Sequence, residues 1–527
     1  MFAYPRSPPK ALESGVNSRR FRTFVASAAA CLLVRGEPAR SQTCATVAQF
    51  DDGLTPTRVL HVATTGSNVS GNGSPGKPYA TIAFAAGQAT PGTSVVVHAG
   101  IYAGGGFITG LSGTSAAPIW IGGAPGESRP IIQGGGEGLH IVRPRYLVIH
   151  DLEVRSVASN GINCDDGGDY ANADAARFMI FRNLSIHDIG GTGNQDGLKL
   201  SGLNDFVVIG CDFARCGGAN SGSGIDHVGC HRGLIVRCTF NDLSANAVQC
   251  KGGSEDLEVR WCRMIEAGQR AVNMGGSTGL EFFRPPVSIT QPNFEAQNIR
   301  VVSNLIIGAE APIAYVGCVD CLVSGNTIIT PHNWIIRVLQ ETVTQAPYSF
   351  IPCSGGRFVN NIVYFDRSDL STYVNIGANT APQTFSFENN LWYAYDNPAA
   401  SAPSLPVLQS GAVIGLDPRF FEATAGNYAL QFLSPAASVG HSPPESAGDL
   451  AGICYRHPPS IGAFEVCYPN CDGSAGGPGL TANDFQCFLD KFVAGEPYAN
   501  CDSSTGTPLL TGNDFQCFLN AYVAGCS

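Results

Sequence analysis

Ile299-Arg300-Val301-Val302-Ser303-Asn304, Leu322-Val323-Ser324-Gly325-Asn326 and Phe358-Val359-Asn360-Asn361 are one short phrase, apolar residues closing on asparagine. Upstream the phrase returns as Leu147-Val148-Ile149-His150-Asp151-Leu152, Phe178-Met179-Ile180-Phe181-Arg182-Asn183-Leu184 and Phe206-Val207-Val208-Ile209-Gly210-Cys211. It continues in Leu234-Ile235-Val236-Arg237-Cys238 and Leu257-Glu258-Val259-Arg260-Trp261-Cys262. Aligned, these give a column of Asp151, Asn183, Cys211, Cys238, Cys262, Asn304, Asn326 and Asn361, at intervals of 32, 28, 27, 24, 42, 22 and 35 residues. Self-similarity at such intervals signals a solenoid, and the alternation within each phrase signals strands. Asparagines stacked at one corner of successive coils can hydrogen-bond along the stack and satisfy the turn's backbone groups, and cysteine is small enough to replace them inside. A β-sandwich fits poorly, because the loops vary greatly while the strand cores stay alike. The expected fold is an all-β solenoid of parallel strands.

This ladder spans about half the chain and resembles the right-handed, single-stranded parallel β-helix of bacterial polysaccharide lyases and their relatives. The ends fit that expectation. Tyr79 to Ala86 reads as a short amphipathic helix covering the open N-terminal coil, with Val95-Val96-Val97-His98 as the first rung. Solenoids need such caps. Leu416-Asp417-Pro418-Arg419-Phe420 through Gly462-Ala463-Phe464-Glu465 looks like the closing segment of exported β-helix proteins. The expected β-helix domain is 57–466.

Charged residues make up 14% of the 527, glycines number 64, mean hydropathy is +0.06 and net charge is −11. The profile is not that of a disordered chain. The negative balance argues against nucleic acid as a partner, since phosphate binding needs a basic face. Residues 1–42 read as an export leader: Arg19, Arg20 and Arg22 precede the short apolar run from Phe24 to Val34, and Ala39 and Ser41 offer a cleavage site. The mature chain is therefore expected to be secreted or held at the cell surface, without a transmembrane segment. Six cysteines in the last 61 residues fit a stapled module in an oxidising compartment.

That module, 467–527, is a tandem repeat. Asn470-Cys471-Asp472-Gly473-Ser474 matches Asn500-Cys501-Asp502-Ser503-Ser504, and Asn483-Asp484-Phe485-Gln486-Cys487 matches Asn513-Asp514-Phe515-Gln516-Cys517. Each unit reads as a ligand loop followed by a short helix, half of an EF-hand. The pair resembles a cysteine-rich, α-helical dockerin-like domain. The resemblance implies an anchoring role toward a cohesin-like or cell-surface partner. It also implies calcium held by Asp472, Ser474 and Asp484 and by Asp502, Ser504 and Asp514. Gly476 and Gly506 stand at the middle acidic position, so calcium is either weak here or replaced by disulfides.

A second register follows the ladder in each coil, through Gly161-Ile162-Asn163-Cys164-Asp165, Gly197-Leu198-Lys199-Leu200-Ser201, Gly224-Ile225-Asp226-His227-Val228, Ala247-Val248-Gln249-Cys250-Lys251 and Ala271-Val272-Asn273-Met274-Gly275. Period two sends Ile162, Leu198, Ile225, Val248, Val272 and Ala314 inward. It leaves Asn163, Lys199, Asp226, Gln249, Asn273, Tyr315 and Arg337 on one outer face. A chain with few charges thus gathers them on a groove suited to an extended polymer, and Lys199, Lys251, Arg270 and Arg337 would attract a polyanion. The insertion Gly275 to Pro286 is expected to form a wall beside it. Lys199 is either a groove cation or a cross-strand ion pair. His227 reads as a core histidine ahead of a base. Asp165, Asp166 and Asp169 with Asp196 are either a calcium site or a solvated loop.

The order Asp196, Lys199, Asp226, Lys251 resembles calcium-dependent β-helical pectate lyases, and Lys251 with Arg270 resembles chondroitinase and alginate lyases. These resemblances imply a lyase acting by β-elimination on a uronate-containing, extended anionic polysaccharide. Lys251 and Arg270 would be catalytic, with Lys199, Gln249, Asn273, Tyr315 and Arg337 on the substrate. Calcium would sit at Asp165, Asp166, Asp169, Asp196 and Asp226. The alternatives are a glycoside hydrolase using Asp196 with Asp226 or Asp165, and a non-catalytic polysaccharide-binding or adhesion protein.

Overall fold

Each coil of the chain lays down one strand in each of three parallel sheets, which reach 14, 10 and 12 strands. Leu198–Ser201 pairs with Ser223–Val228 one coil on. Leu203–Ile209 pairs with His231–Val236, and Asp212–Cys216 with Thr239–Asn241. This is a parallel β-helix. The computed structural model describes residues 44, 46–191, 195–218, 221–474, 480–502, 504–505 and 507–526. The expected leader, 1–42, lies outside the described residues. Among them no helix is long and apolar enough to cross a membrane.

The polar ladder is real and runs one coil further than the sequence suggested, to Asn390. Cys262 N donates to Asn304 Oδ1, and Asn304 hands the pattern to Asn326, Asn361 and Asn390, at 2.8–3.1 Å throughout. Its first two members are different residues from those expected. Pairing places Leu152 and Leu184, not Asp151 and Asn183, in line with Cys211. Asp151 and Asn183 occupy the preceding corner, where φ is 48–65° in nine successive coils, through Gly210, Arg237, Trp261, Ser303, Gly325, Asn360 and Asn389. Left-handed backbone favours Asn, Asp and Gly, so the two residues mark the turn and not the ladder. Asn326 is fully buried and also donates to Val301 O and Ser324 O. Asn326→Ala strands a backbone N–H and a carbonyl in the core. Urea denaturation is expected to show a loss of about 2–5 kcal/mol.

At the N-terminal end, Thr81 caps the helix Ile82–Ala86, which buries Ile82, Ala85 and Ala86 as expected of a lid. The first rung is one coil earlier than expected: Arg58–Val62 pairs with Thr93–Val97. Near the other end, Phe420–Glu422 and Asn427–Leu430 form an antiparallel hairpin. The segment after it docks on the coils, with Trp261 Nε1 donating to Gly448 O, Ala463 N to Thr327 Oγ1, and Cys44 bonded to Cys454.

The tail is helical. Ala482–Ala494 and Gly512–Ala524 begin with the same capping box, Thr481 with Asp484 and Thr511 with Asp514. The Phe488 and Phe518 rings stack at 3.9 Å between the repeats. Its six cysteines pair as Cys467–Cys526, Cys471–Cys487 and Cys501–Cys517. Phe432 packs edge-on to Tyr468, and Asn427 Nδ2 donates to Gly473 O, so the tail rests on the segment closing the β-helix.

Candidate functional site

The 10-stranded sheet carries the expected polar face. Its outward column runs Phe107, His140, Asn163, Lys199, Asp226, Gln249, Asn273, Ala314, Arg337, Asn375, each opposite the next. Adjacent rungs are about 4.8 Å apart. Tyr315 is not on this face. It pairs with Met274 and Val338, is 1% exposed, and its hydroxyl donates to Arg357 O in the interior. The strand Ala311–Val316 is buried on both sides, so alternation alone could not tell Ala314 from Tyr315, and the tyrosine is a core residue. His227 is also in the core, donating to Gln249 O and stacking on Phe206, and burial lowers its pKa to about 4.

At the centre of the face Asp196, Lys199, Asp226 and Lys251 form a closed group of two carboxylates and two ammonium groups. Lys199 Nζ bonds Asp226 Oδ2 and lies 3.3 Å from Asp196 Oδ2. Lys251 Nζ lies 3.3 Å from the same Asp226 oxygen and 3.4 Å from Gln249 Oε1. The carboxylates are sealed, Asp196 at 1% and Asp226 at 0% exposure, while the lysines reach the surface at 18% and 12%. Burial works to raise Asp226, but the Lys199 and Lys251 charges outweigh it and hold the carboxyl below its ordinary value. The two carboxylates raise Lys199 above the usual lysine range in spite of burial. Lys199 is therefore the cross-strand ion pair that the sequence left open.

Asp196 behaves oppositely: burial, then the neighbouring Asp226 charge, raise it from 3.8 to about 6. Its folded value lies above its unfolded one. The site therefore favours folding fully below about pH 4, and that advantage is lost as pH rises through about 6. Asp196→Asn keeps an acceptor for Ser223 N and is expected to remove this slope from stability measured by urea denaturation across that range. An unchanged slope would place the titration elsewhere.

Two coils on, Arg270 donates to Glu341 Oε1 at 2.6 Å and to Asn273 Oδ1 at 3.4 Å. Arg337 bonds Asn375 Oδ1 and lies 4.3 Å from the centre of the Trp334 ring. The insertion after Arg270–Gly275 forms a strap. Arg284 N donates to Gly252 O, and its guanidinium ends on Asp166 Oδ2 at 2.6 Å and over the Tyr170 ring. A Cβ on Gly229 would lie 2.3 Å from Arg284 Cβ, and one on Gly253 would lie 2.8 Å from Arg284 O. Glycine at these corners lets the strap cross the coils. Glu295, fully buried, holds its base by accepting from Gly252 N, Thr278 N and the Thr278 and Thr342 hydroxyls. The insertion is thus a wall beside the face. Its fastening through Arg284 and Glu295 was missed in the sequence, where only the glycines at successive corners signalled it, and so was the Glu341 partner of Arg270.

No family model matches the chain, and no curated protein matches it. Solved structures resemble it at low identity. Pectate lyase Pel9A is 17% identical with a TM-score of 0.49, over 78% of this chain and 97% of that one. A rhamnogalacturonan lyase is 15% identical at 0.43, over 66% and 90%. A lacto-N-biosidase from Eubacterium ramulus is 15% identical at 0.40, over 63% and 67%. At these values the likeness carries no argument about activity, and the fold rests on the strand pairing described above.

The residues expected to hold calcium on the β-helix do not fit it. Asp166 is bound by Arg284, Asp165 Oδ2 faces His140 Nε2 at 2.7 Å, and Asp169 accepts from Asn172. Between Asp196 and Asp226 the Lys199 ammonium takes the place of a cation. Among the described residues no three His, Cys, Asp or Glu side chains converge as a metal site. In the tail, Asp484 accepts from Asp472 N and Thr481 N, and Asp514 from Asp502 N and Thr511 N. Asp472 and Asp502 accept from Ser474 N and Ser504 N. Gly476 and Gly506 lie outside the described residues.

Proposed function

We propose that the protein is an exported, carbohydrate-active β-helix that cleaves a uronate-containing polysaccharide by β-elimination on the 10-stranded face. The observation that carries this reading is the placement of Lys251: its ammonium nitrogen reaches the surface beside the fully buried Asp226 carboxylate. Lys251 first gives up one proton to water and then, as the neutral amine, takes the C5 proton of the uronate, and the Asp226 charge stabilises the ammonium that forms. The C5 electron pair becomes the C4=C5 double bond as the C4–O bond breaks, and the leaving oxygen takes a proton from water. Arg270 and Arg337, two rungs apart on the same face, suit the carboxylates of neighbouring sugars, with Lys199, Gln249 and Asn273 lining the path. A hydrolase is less well supported, because the two carboxylates it needs are sealed and engaged by Lys199. The test is a panel of uronate polymers, with and without a calcium chelator, read for ultraviolet-absorbing unsaturated ends and for reducing ends. Absorbance and reducing ends should rise together. Reducing ends alone would indicate hydrolysis, and binding without either would indicate an adhesion protein.

The tail is read as a dockerin-like anchoring module for a cohesin-like or cell-surface partner, supported by its two matching loop–helix units. Calcium at Asp472, Ser474 and Asp484, and at Asp502, Ser504 and Asp514, belongs to the same proposal. Tyr468 and Tyr498 stack at 5.1 Å between the units, so their fluorescence should respond to a calcium titration of the full chain. No response would remove calcium from the tail's function.

A further inference from the structure

We infer that Cys318 and Cys353 are joined by a disulfide in the mature protein, tying the long loop beside the groove to the coil beneath it. Both are buried thiols in the structure, their sulfurs 4.0 Å apart. They lie on adjacent rungs: Val319 pairs in parallel with Ser354, Ser354 N donates to Cys318 O, and Asp320 N to Ser354 O. Cys318 and Cys353 are therefore directly opposite. Neighbouring strands lie about 4.8 Å apart, within the Cα separation of about 4.4–6.8 Å that a disulfide spans.

The other stacked cysteines are used differently. Cys238 Sγ donates to Val236 O at 3.4 Å and Cys262 Sγ to Arg260 O at 3.3 Å, so their thiols serve the backbone as the ladder asparagines do. Cys321, beside Cys318, is held by Ile299 N and Val319 O. The Cys353 thiol is drawn below its ordinary value by the Cys318 thiol, and also by N–H groups of Cys318, Gly317 and Leu339, in spite of burial. A thiol so placed is the attacking partner in exchange. The first step takes place while the loop is still open and the second as it closes. A small-molecule or protein disulfide first forms a mixed disulfide with Cys318 and releases one thiol. The Cys353 thiolate then attacks the Cys318 sulfur and expels the second. Two electrons and two protons pass to the oxidant, which leaves as two thiols. Disulfides elsewhere in the chain, Cys44–Cys454 and three in the tail, need the same oxidising surroundings.

The bond matters for the groove because of what the loop carries. Gln340 Oε1 accepts from Cys353 N at 2.6 Å, closing the loop, whose Glu341 holds Arg270 and whose Thr342 bonds Glu295. The covalent link itself does not depend on the lyase reading. Full-length protein with its tail disulfides intact is denatured without reductant, alkylated, digested with trypsin and mapped by mass spectrometry. Peptides 301–337 and 338–357 should be recovered linked through Cys318 and Cys353, with Cys321 alkylated. Alkylation of both Cys318 and Cys353, or linkage through Cys321, overturns the inference. Melting gives a second reading. Cys318→Ser, Cys353→Ser and the double variant should lose the same Tm, because all three remove one bond, whereas additive losses would mean that the cysteines merely pack.

Discussion

Lys251→Ala is expected to slow formation of unsaturated uronide by about 10²–10⁴-fold, the usual worth of a positioned general base, while the protein stays folded. The side chain sits at the rim of the charged group, and Asp226 keeps Lys199 as its partner when Lys251 is shortened. Lys251→Arg separates two roles. It keeps a cation beside Asp226, so a residue that only attracts the polymer would survive the change with its rate nearly intact. Arginine stays protonated and cannot accept the C5 proton, so the rate is expected to fall as far as in the alanine variant. The measurement is initial ultraviolet absorbance on whichever uronate polymer the wild-type protein cleaves, alongside melting curves for both variants. Wild-type rates in either variant would end the assignment of Lys251 as the base.

What could be read in the sequence was whatever repeats. Asn304, Asn326 and Asn361 announce the coil because one hydrogen-bond geometry recurs at one corner, and Lys199, Asp226 and Gln249 align because their short strands alternate apolar with charged or amide residues. Reading failed where two chemistries favour one residue type: Asp151 and Asn183 stand at a left-handed corner that selects Asn and Asp as strongly as the ladder does. It failed again at Tyr315, where both faces of a strand are covered and alternation carries no sign. The partners of the site were not legible, because they come from insertions. Arg284 meets Asp166 across 118 residues, and Arg270 meets Glu341 across 71. Such a path leaves only indirect traces, here Gly202, Gly229 and Gly253 at consecutive corners, each of which would crowd Arg284 if it carried a Cβ. The calcium expectation on the β-helix met the same blindness, since Arg284 and Lys199 already engage Asp166, Asp196 and Asp226.

Asp226→Asn should be the most damaging single change for stability. Asp226 is fully buried, yet the ammonium nitrogens of Lys199 and Lys251 both rest on its Oδ2. An amide in its place removes the shared negative charge, and where its NH₂ faces Lys199 it sets donor against donor. Breaking a buried pair by removing one partner costs about 3–5 kcal/mol, and loss of that order is expected by urea denaturation. Asp196 offsets part of it. The Asp226 charge contributes to raising Asp196, so in the variant its carboxyl should titrate lower and become the sole counter-ion of Lys199. The loss should therefore be smaller at neutral pH, where Asp196 is ionised, than near pH 4. Near pH 4, where Asp196 is protonated, combining Asp226→Asn with Lys199→Met removes the uncompensated cation together with the anion, and most of the loss should return, because an ion pair exchanged whole for neutral groups costs little. If the double variant is as unstable as the sum of its parts, the two side chains are not coupled and the charged group does not act as a unit. If it recovers, Lys199 and Asp226 stabilise the sheet as one coupled pair.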